Sequence, residues 1–256
     1  MPTQMTEQLF YKYCIIGFYI AAALTFALVI NLPAPYGRHY KGNWGPSMSN
    51  RWGWFLMESP AIWAFLIIYS MGQNSADTVA LTFLGIWLVH YTHRSLIFPF
   101  RISNKNKRMP LLIVALGFLF NIFNAYVTAR WVSHFGDYDI GWLESPHFLL
   151  GLSMFVAGLY LNIRSDNILF ALRKRKKGGY GIPYAGPFIR LSCPNYLGEI
   201  IEWMGWALLT WSSAGTAFAL FAAANLVPRA IAHHQWYRSK FTDYPADRKI
   251  LIPGIF

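Results

Sequence analysis

Apolar residues in this chain collect into seven runs, at about 9–30, 52–71, 78–98, 111–130, 147–162, 196–211 and 214–232. Most approach the roughly 20 residues that a helix needs to cross a bilayer. Backbone in lipid must satisfy its own N–H and C=O groups, so runs of this length predict helices rather than an open sheet. The fifth and sixth runs are short or polar-tipped, and their ends are the least sharply marked. Composition agrees, with 55% hydrophobic residues and only 13% charged, against about a quarter charged in a soluble domain. Aromatic residues reach 18%, which suits helices whose ends meet the membrane interface. The expected fold is all-α: one integral membrane domain over residues 1–256, a bundle of seven transmembrane helices.

Charge between the runs alternates. Arg38, Lys41 and Arg51 follow the first run, and no Lys or Arg follows the second. Arg101, Lys105, Lys107 and Arg108 follow the third, and Asp137, Asp139 and Glu144 follow the fourth. The fifth leads into Arg173, Lys174, Arg175, Lys176, Lys177 and Arg190, and the tail carries Arg238, Lys240, Arg248 and Lys249. Lys and Arg gather on the cytoplasmic side, so the amino terminus is expected outside and the carboxy terminus in the cytosol, with Lys12 and Arg130 as exceptions. The net charge of +11 is then mainly a topology signal, secondarily an attraction for an anionic ligand, and no nucleic-acid partner is expected. Cys14 and Cys193 form no ligand motif, and neither a disulfide framework nor a metal site is expected. Residues before Lys12 are uncharged or acidic, so the first run is expected to be a retained helix.

Polar residues inside the runs define a candidate site. On a helix, Asn195, Glu199, Glu202 and Trp203 share one stripe. The last run ends in Arg229, His233, His234 and Tyr237. Glu58 lies in apolar sequence before Ser59-Pro60, where a kink is expected. Tyr91 stands one turn from Trp87 and Arg94, while Asn162 and Asp166 share a helix face. Asn121 and Asn124 suit either a ligand or a neighbouring helix. Intramembrane ionisable groups point to function, and the competing reading is a polar knot that joins helices. His90 and His93 have ligand spacing but no matching third cluster. No Gly-x-Gly-x-x-Gly follows a strand, so a nucleotide would be held by helix ends, the loop at 173–194 and the tail, with Arg173 and Arg229 as anion donors.

The stretch Asn195-Tyr196-Leu197-Gly198-Glu199-Ile200-Ile201-Glu202-Trp203, together with Arg229-Ala230, His233-His234, Trp236-Tyr237, residues 241–245 and residues 252–256, resembles the carboxy-terminal half of the steroid 5α-reductases. Residues 54–58, 90–94 and 162–166, and the loop Gly178-Gly179-Tyr180-Gly181-Ile182-Pro183, extend the similarity over most of the chain past about residue 50. Tyr36-Gly37-Arg38-His39 resembles the family's opening of the first loop. Two departures stand out: Arg164 replaces a family His, and Ala232 replaces the first of three consecutive His.

This resemblance implies a membrane reductase that uses NADPH to reduce the Δ4 double bond of a 3-oxo-Δ4 steroid by hydride transfer to C5. It maps the family's acid/tyrosine pair, which holds the 3-oxo group, onto Glu58 and Tyr91. Cofactor positions map onto Asn162, Asp166, Arg173, Tyr180, Asn195, Glu199, Arg229, His233 and Tyr237, most of them in a reductase region over about 105–256. An apolar steroid-like substrate would enter from the bilayer of a bacterial inner membrane or endoplasmic reticulum, and a monomer is expected. Related NADPH-dependent reductases of polyprenols or trans-2-enoyl-CoA remain alternatives. A non-catalytic sterol-binding or transport protein is the alternative from another class.

Overall fold

The computed structural model describes residues 2–40, 42–102, 107–177 and 179–256; Lys41, Lys105 and Gly178 of the sequence reading lie outside them. The described residues are mostly helical. Helices run α1 (Pro2–Asn31), α2 (Asn50–Glu58), α3 (Pro60–Ser70), α4 (Thr78–Tyr91), α5 (Phe98–Arg101), α6 (Leu111–Arg130), α7 (Pro146–Arg175), α8 (Pro194–Thr210) and α9 (Ser213–Lys240). Two short strands, β1 (Ser47–Ser49) and β2 (Arg108–Pro110), pair antiparallel with Met48 opposite Met109. They clip the first loop to the segment that enters α6.

Among the described residues, five helical stretches are long and apolar enough to cross a membrane: Thr6–Asn31, Asn50–Ser70, Leu111–Phe135, Pro146–Arg175 and Ser213–Lys240. With 14 residues in α4 and 17 in α8, these two fall short of a full span when counted alone. Leu9, Phe10, Ile20, Leu24 and Leu28 of α1 are exposed, an outward apolar face suited to lipid rather than water.

Pro60 breaks the second run where the sequence places the kink. It has no N–H for the Leu56 carbonyl, and the Ser59 hydroxyl donates to that oxygen instead, at 3.2 Å. The Glu58 carbonyl is taken by the Ser95 hydroxyl at 3.0 Å. Both repairs keep backbone acceptors satisfied in an apolar setting. The end of α4 opens into a wide turn over Thr92–Ile97 before α5; such turns are frequent at functional sites.

Glycines set the tightest helix contact. A Cβ on Gly158 would lie 2.4 Å from the Glu202 amide nitrogen, and one on Gly198 would lie 2.5 Å from that of Asn162. Gly151 and Gly205 repeat the arrangement one heptad away. Small residues at this spacing let α7 and α8 touch backbone to backbone, the usual device in lipid. Around this pair the core is aromatic: Trp87, Trp203, Trp206, Phe65, Phe83 and Phe155 are fully buried. Trp87 stacks on Phe65 with ring centroids 4.6 Å apart and donates its indole N–H to the Ala61 carbonyl at 2.7 Å.

Candidate functional site

The close approach of α7 and α8 brings Asn162 against the start of α8. Its amide donates to the Asn195 carbonyl at 3.0 Å and to Glu199 Oε2 at 3.3 Å. One turn on, the Asn195 amide donates to Asp166 Oδ1 at 3.2 Å. The i, i+4 pairs read from the sequence, Asn162/Asp166 and Asn195/Glu199, thus interlock across two helices. Arg94 then reaches Glu199 at 3.6 Å and Glu58 at 3.9 Å, with its guanidinium over the rings of Trp54 and Phe98.

Two spaces meet at this arginine. The first is a cleft lined by Asp166, Arg173, Tyr180, Asn195, Glu199, Arg229, His233 and Tyr237, among others. Eight of the nine residues nominated for a cofactor therefore face one cleft; Asn162 stands behind it and holds Glu199. The second is a chamber lined by Glu58, His90, Tyr91, Asn121, Trp203 and by Phe218 and Phe221 of α9. Tyr36, Trp54, Arg94, Glu199 and Arg229 line both, so the two are adjacent.

The cleft is strongly cationic. Arg38, Lys107, Arg173 and Arg229 all line it, and none makes an ion pair among the described residues. Tyr180 anchors three of them. Lys107 donates to its hydroxyl at 2.5 Å, and the guanidinium groups of Arg38 and Arg173 lie 5.3 and 5.6 Å from its ring centre. Arg38 also packs over Trp236 and Tyr237, and its Nη1 is buried without a hydrogen-bond partner among the described residues. Arg229 lies over Tyr36 and Tyr196. Burial first, then Arg173 and Arg38, pull Lys107 down to about 8. The Cys193 thiol, also at the cleft, is pushed up to about 12 by burial, which makes it a poor nucleophile.

The chamber differs in character. Glu58 accepts from the Asn121 amide at 3.3 Å, while that amide also donates to the Met57 carbonyl at 2.8 Å. Tyr91 is 3% exposed, its ring lies 4.6 Å from Trp87, and its hydroxyl has no hydrogen bond among the described residues. Asn121 thus serves both a neighbouring helix and the chamber wall. Asn124 does not line the chamber; its side-chain carbonyl accepts from Thr128 at 3.2 Å.

Two residues of the candidate site, Glu202 and His234, land outside the cleft. Glu202 shares a stripe with Glu199 but turns away from the cleft, fully buried, 2.7 Å from His90 Nδ1. His234 also faces away and bonds the Ser192 hydroxyl at 2.6 Å. His233 joins His39 on one side and the Tyr196 hydroxyl on the other, both at 3.0 Å.

Sequence reasoning left out of the site Tyr36, Arg38, His39, Arg94 and Lys107. The first three sit in a turn-rich loop that reads as an ordinary connector, and Lys107 reads as a topology charge. Arg94 was within reach, because it closes the motif at 90–94 and stands one turn from Tyr91.

A profile of the 3-oxo-5-alpha-steroid 4-dehydrogenase family matches residues 107–256. The chain belongs to this family. Steroid 5-alpha-reductase DET2 of Arabidopsis thaliana is 42% identical, over 99% of each chain. The 3-oxo-5-alpha-steroid 4-dehydrogenase 1 of Macaca fascicularis is 40% identical, over 99% of this chain and 95% of its own. Its human counterpart is 40% identical over 86% of each chain. The likeness to 5α-reductases therefore extends beyond the profile into the stretch from α1 to α5, which holds Glu58, Tyr91 and, in the wide turn, Arg94.

Proposed function

We propose that the cationic cleft takes NADPH and that the chamber takes a 3-oxo-Δ4 steroid. As a member of its family the chain is a steroid 5α-reductase, an oxidoreductase acting on a CH–CH group. The observation that carries the two-ligand reading is the meeting at Arg94 and Glu199 of a cleft whose four cations have no ion pair among the described residues and a chamber that sets an acid and a phenol beside aromatic rings. Four cations without carboxylate partners fit a pyrophosphate and one further phosphate, because charge-assisted donors are the strong ligands of such groups.

Within this reading, Arg38, Lys107, Arg173 and Arg229 bind the phosphates. Tyr180 orders three of these cations. Asn195 and Glu199, held by Asp166 and Asn162, fix the nicotinamide end where the cleft meets the chamber. Bound there, NADPH supplies the hydride for C5. Tyr91 and Glu58 hold the 3-oxo group and donate to its oxygen as negative charge develops, which is where donors accelerate such a step. Phe120, Phe218 and Phe221 supply an apolar wall for the steroid rings.

Seven spans belong to the same reading. The second is α2 and α3 together. The third is α4, prolonged through its wide turn and α5, and the sixth is α8. The amino terminus is then outside and the tail cytosolic, which puts the cleft on the basic side.

The test is direct. Purified protein in detergent should oxidise NADPH with a Δ4-3-oxosteroid and yield the 5α-reduced ketone, identified by mass spectrometry. NADH at matched concentration should turn over on the order of 100-fold more slowly, the scale of one to two charge-assisted bonds. Equal turnover with NADH would remove the NADPH assignment, and no 5α-reduced product would remove the steroid.

A further inference from the structure

The reduction of a Δ4-3-oxosteroid needs a proton at C4 as well as a hydride at C5, and neither Glu58 nor Tyr91 has been given that task. His90 lines the chamber beside them, its ring 4.8 Å from that of Tyr91 and edge-on to Trp203 at 4.5 Å. Its Nδ1 is committed to Glu202 at 2.7 Å. Its Nε2 has no hydrogen bond among the described residues and is not among their buried unpartnered atoms, so this nitrogen is open to the chamber. Glu202 is 0% exposed, and its second oxygen has no partner among the described residues. A knot built only to join α4 and α8 would satisfy that oxygen too.

Resting on the function proposed above, we infer that His90, positioned by Glu202, delivers the proton to C4. Placement supports it. The 3-oxo group is held at Glu58 and Tyr91, and the hydride donor sits toward Glu199. C4 adjoins C3, and His90 adjoins Tyr91 on the wall of the same chamber, with its ring 4.8 Å from that of Tyr91.

The step balances. Hydride brings an electron pair to C5, the C4=C5 pair moves to C3=C4, and the carbonyl pair rests on oxygen as an enolate. The enolate then re-forms C3=O, and the C3=C4 pair takes the proton from Nε2 at C4. Before the step the His90–Glu202 pair holds two protons, either one on each ring nitrogen or one on Nε2 and one on the carboxyl. Afterwards it holds one, between Nδ1 and Glu202, and water reloads Nε2. A positioned base oriented by a buried carboxylate is the recurring arrangement for such transfers.

The experiment labels the proton. In D₂O with NADPH, the unaltered protein should place one deuterium at C4 on a single face, read by NMR of the product. In His90→Phe, single-turnover loss of reduced nicotinamide should persist while deuterium appears on both faces and steady turnover falls on the order of 100-fold. Glu202→Gln should show the same loss of facial selection, because its amide cannot store the proton. It decides the matter by the same label if a thermal melt shows His90→Phe unfolded. A single labelled face retained in either folded variant overturns the assignment and leaves the pair a structural tie. Absence of steroid reduction by the unaltered protein instead overturns the function on which the assignment rests.

Discussion

The Asn162 amide donates to the Asn195 carbonyl and to the Glu199 carboxylate, groups 33 and 37 residues further along the chain. One side chain therefore both fixes the position of α8 on α7 and aims the acid at which the cleft meets the chamber. Asn162→Ala removes both bonds and leaves Glu199 to Arg94 alone. Cofactor affinity should fall about tenfold, the scale of one hydrogen bond to a charged group. Glu199→Gln should give a similar loss with a smaller change in melting temperature, because the amide oxygen still accepts from Asn162. Unchanged affinity in both, measured by nicotinamide fluorescence, would make this cluster a helix tie and nothing more.

Backbone contact between α7 and α8 makes that geometry possible. Gly158→Ala would push a methyl group to 2.4 Å from the Glu202 amide nitrogen. Neither helix can yield locally, so the pair must separate. We expect a loss of about 1–3 kcal/mol, the range for overpacked cores, seen as a lower melting temperature in detergent, with weaker cofactor binding as Asn162 withdraws from Glu199. Gly85→Ala is the control. It lies within α4, a Cβ there meets nothing within 4 Å, and helix propensity predicts a gain of up to about 1 kcal/mol. Equal melting temperatures for the two variants would refute the backbone contact.

What the sequence made legible follows from what repeats locally. Apolar runs mark the helices, and the turn between α8 and α9 falls at Ser212, where the short run ends. The Asn/Asp and Asn/Glu pairs are visible because both members sit on one helix. The fifth run, by contrast, looks finished at Asn162, yet α7 continues to Arg175. Hydropathy drops at Asn162, but Asp166 is buried against α8 and the helix has no reason to stop. Long-range pairing is the other blind spot. Nothing local joins His90 to Glu202, 112 residues away, and nothing in a Pro- and Gly-rich loop shows that Tyr36, Arg38 and His39 fold back over the cleft. The heptad spacing of Gly151 with Gly158 and of Gly198 with Gly205 was a signal in plain view, since small residues at such intervals mark close helix contacts in membranes.

Lys107 gives a pH test with two opposite signs. Burial and two neighbouring arginines hold it near 8, below the ordinary value of about 10.4. The ammonium is present below about 8 and lost above it, so affinity for an anionic cofactor should weaken as pH rises from 7 to 9. A bound phosphate favours the ammonium, so binding in that window should take up a proton, detectable by calorimetry in buffers of different ionisation heat. Stability runs the other way. Between the two values the unfolded chain holds more protons than the folded one, so this residue makes unfolding harder as pH rises. Lys107→Met should flatten both trends, and pH-independent affinity in the unaltered protein would remove Lys107 from the phosphate site.

Topology can be settled without any ligand. With seven spans, the loop after α6 and the loop after α7 lie on opposite sides. Single cysteines at Asp137 and Lys176, in a background where Cys14 and Cys193 are replaced by Ala, should label from opposite faces in sealed vesicles. The Lys176 variant should react only from the cytosolic side. Labelling of both from one side would mean that an even number of crossings separates them, and α7 would then not span.

The chamber carries the mechanistic prediction. Hydride addition to a conjugated enone pushes negative charge onto the carbonyl oxygen, and a site that speeds this step must hold donors there beforehand. Tyr91 has a free phenolic proton at a nearly dry wall. Glu58, with Asn121 donating to one oxygen and Arg94 near the other, can donate only as the neutral acid. A neutral carboxylic acid beside a tyrosine performs this task in ketosteroid isomerase. Tyr91→Phe should therefore lower turnover of a Δ4-3-oxosteroid on the order of 100-fold, the usual effect of removing one such donor, with NADPH affinity changed by less than about threefold. Glu58→Gln should be milder, because an amide still donates. Were the pair only a link between α2 and α4, both variants would lose melting temperature first and rate only in proportion. Folded variants that bind NADPH and keep near-native rates would exclude carbonyl polarisation by these two residues.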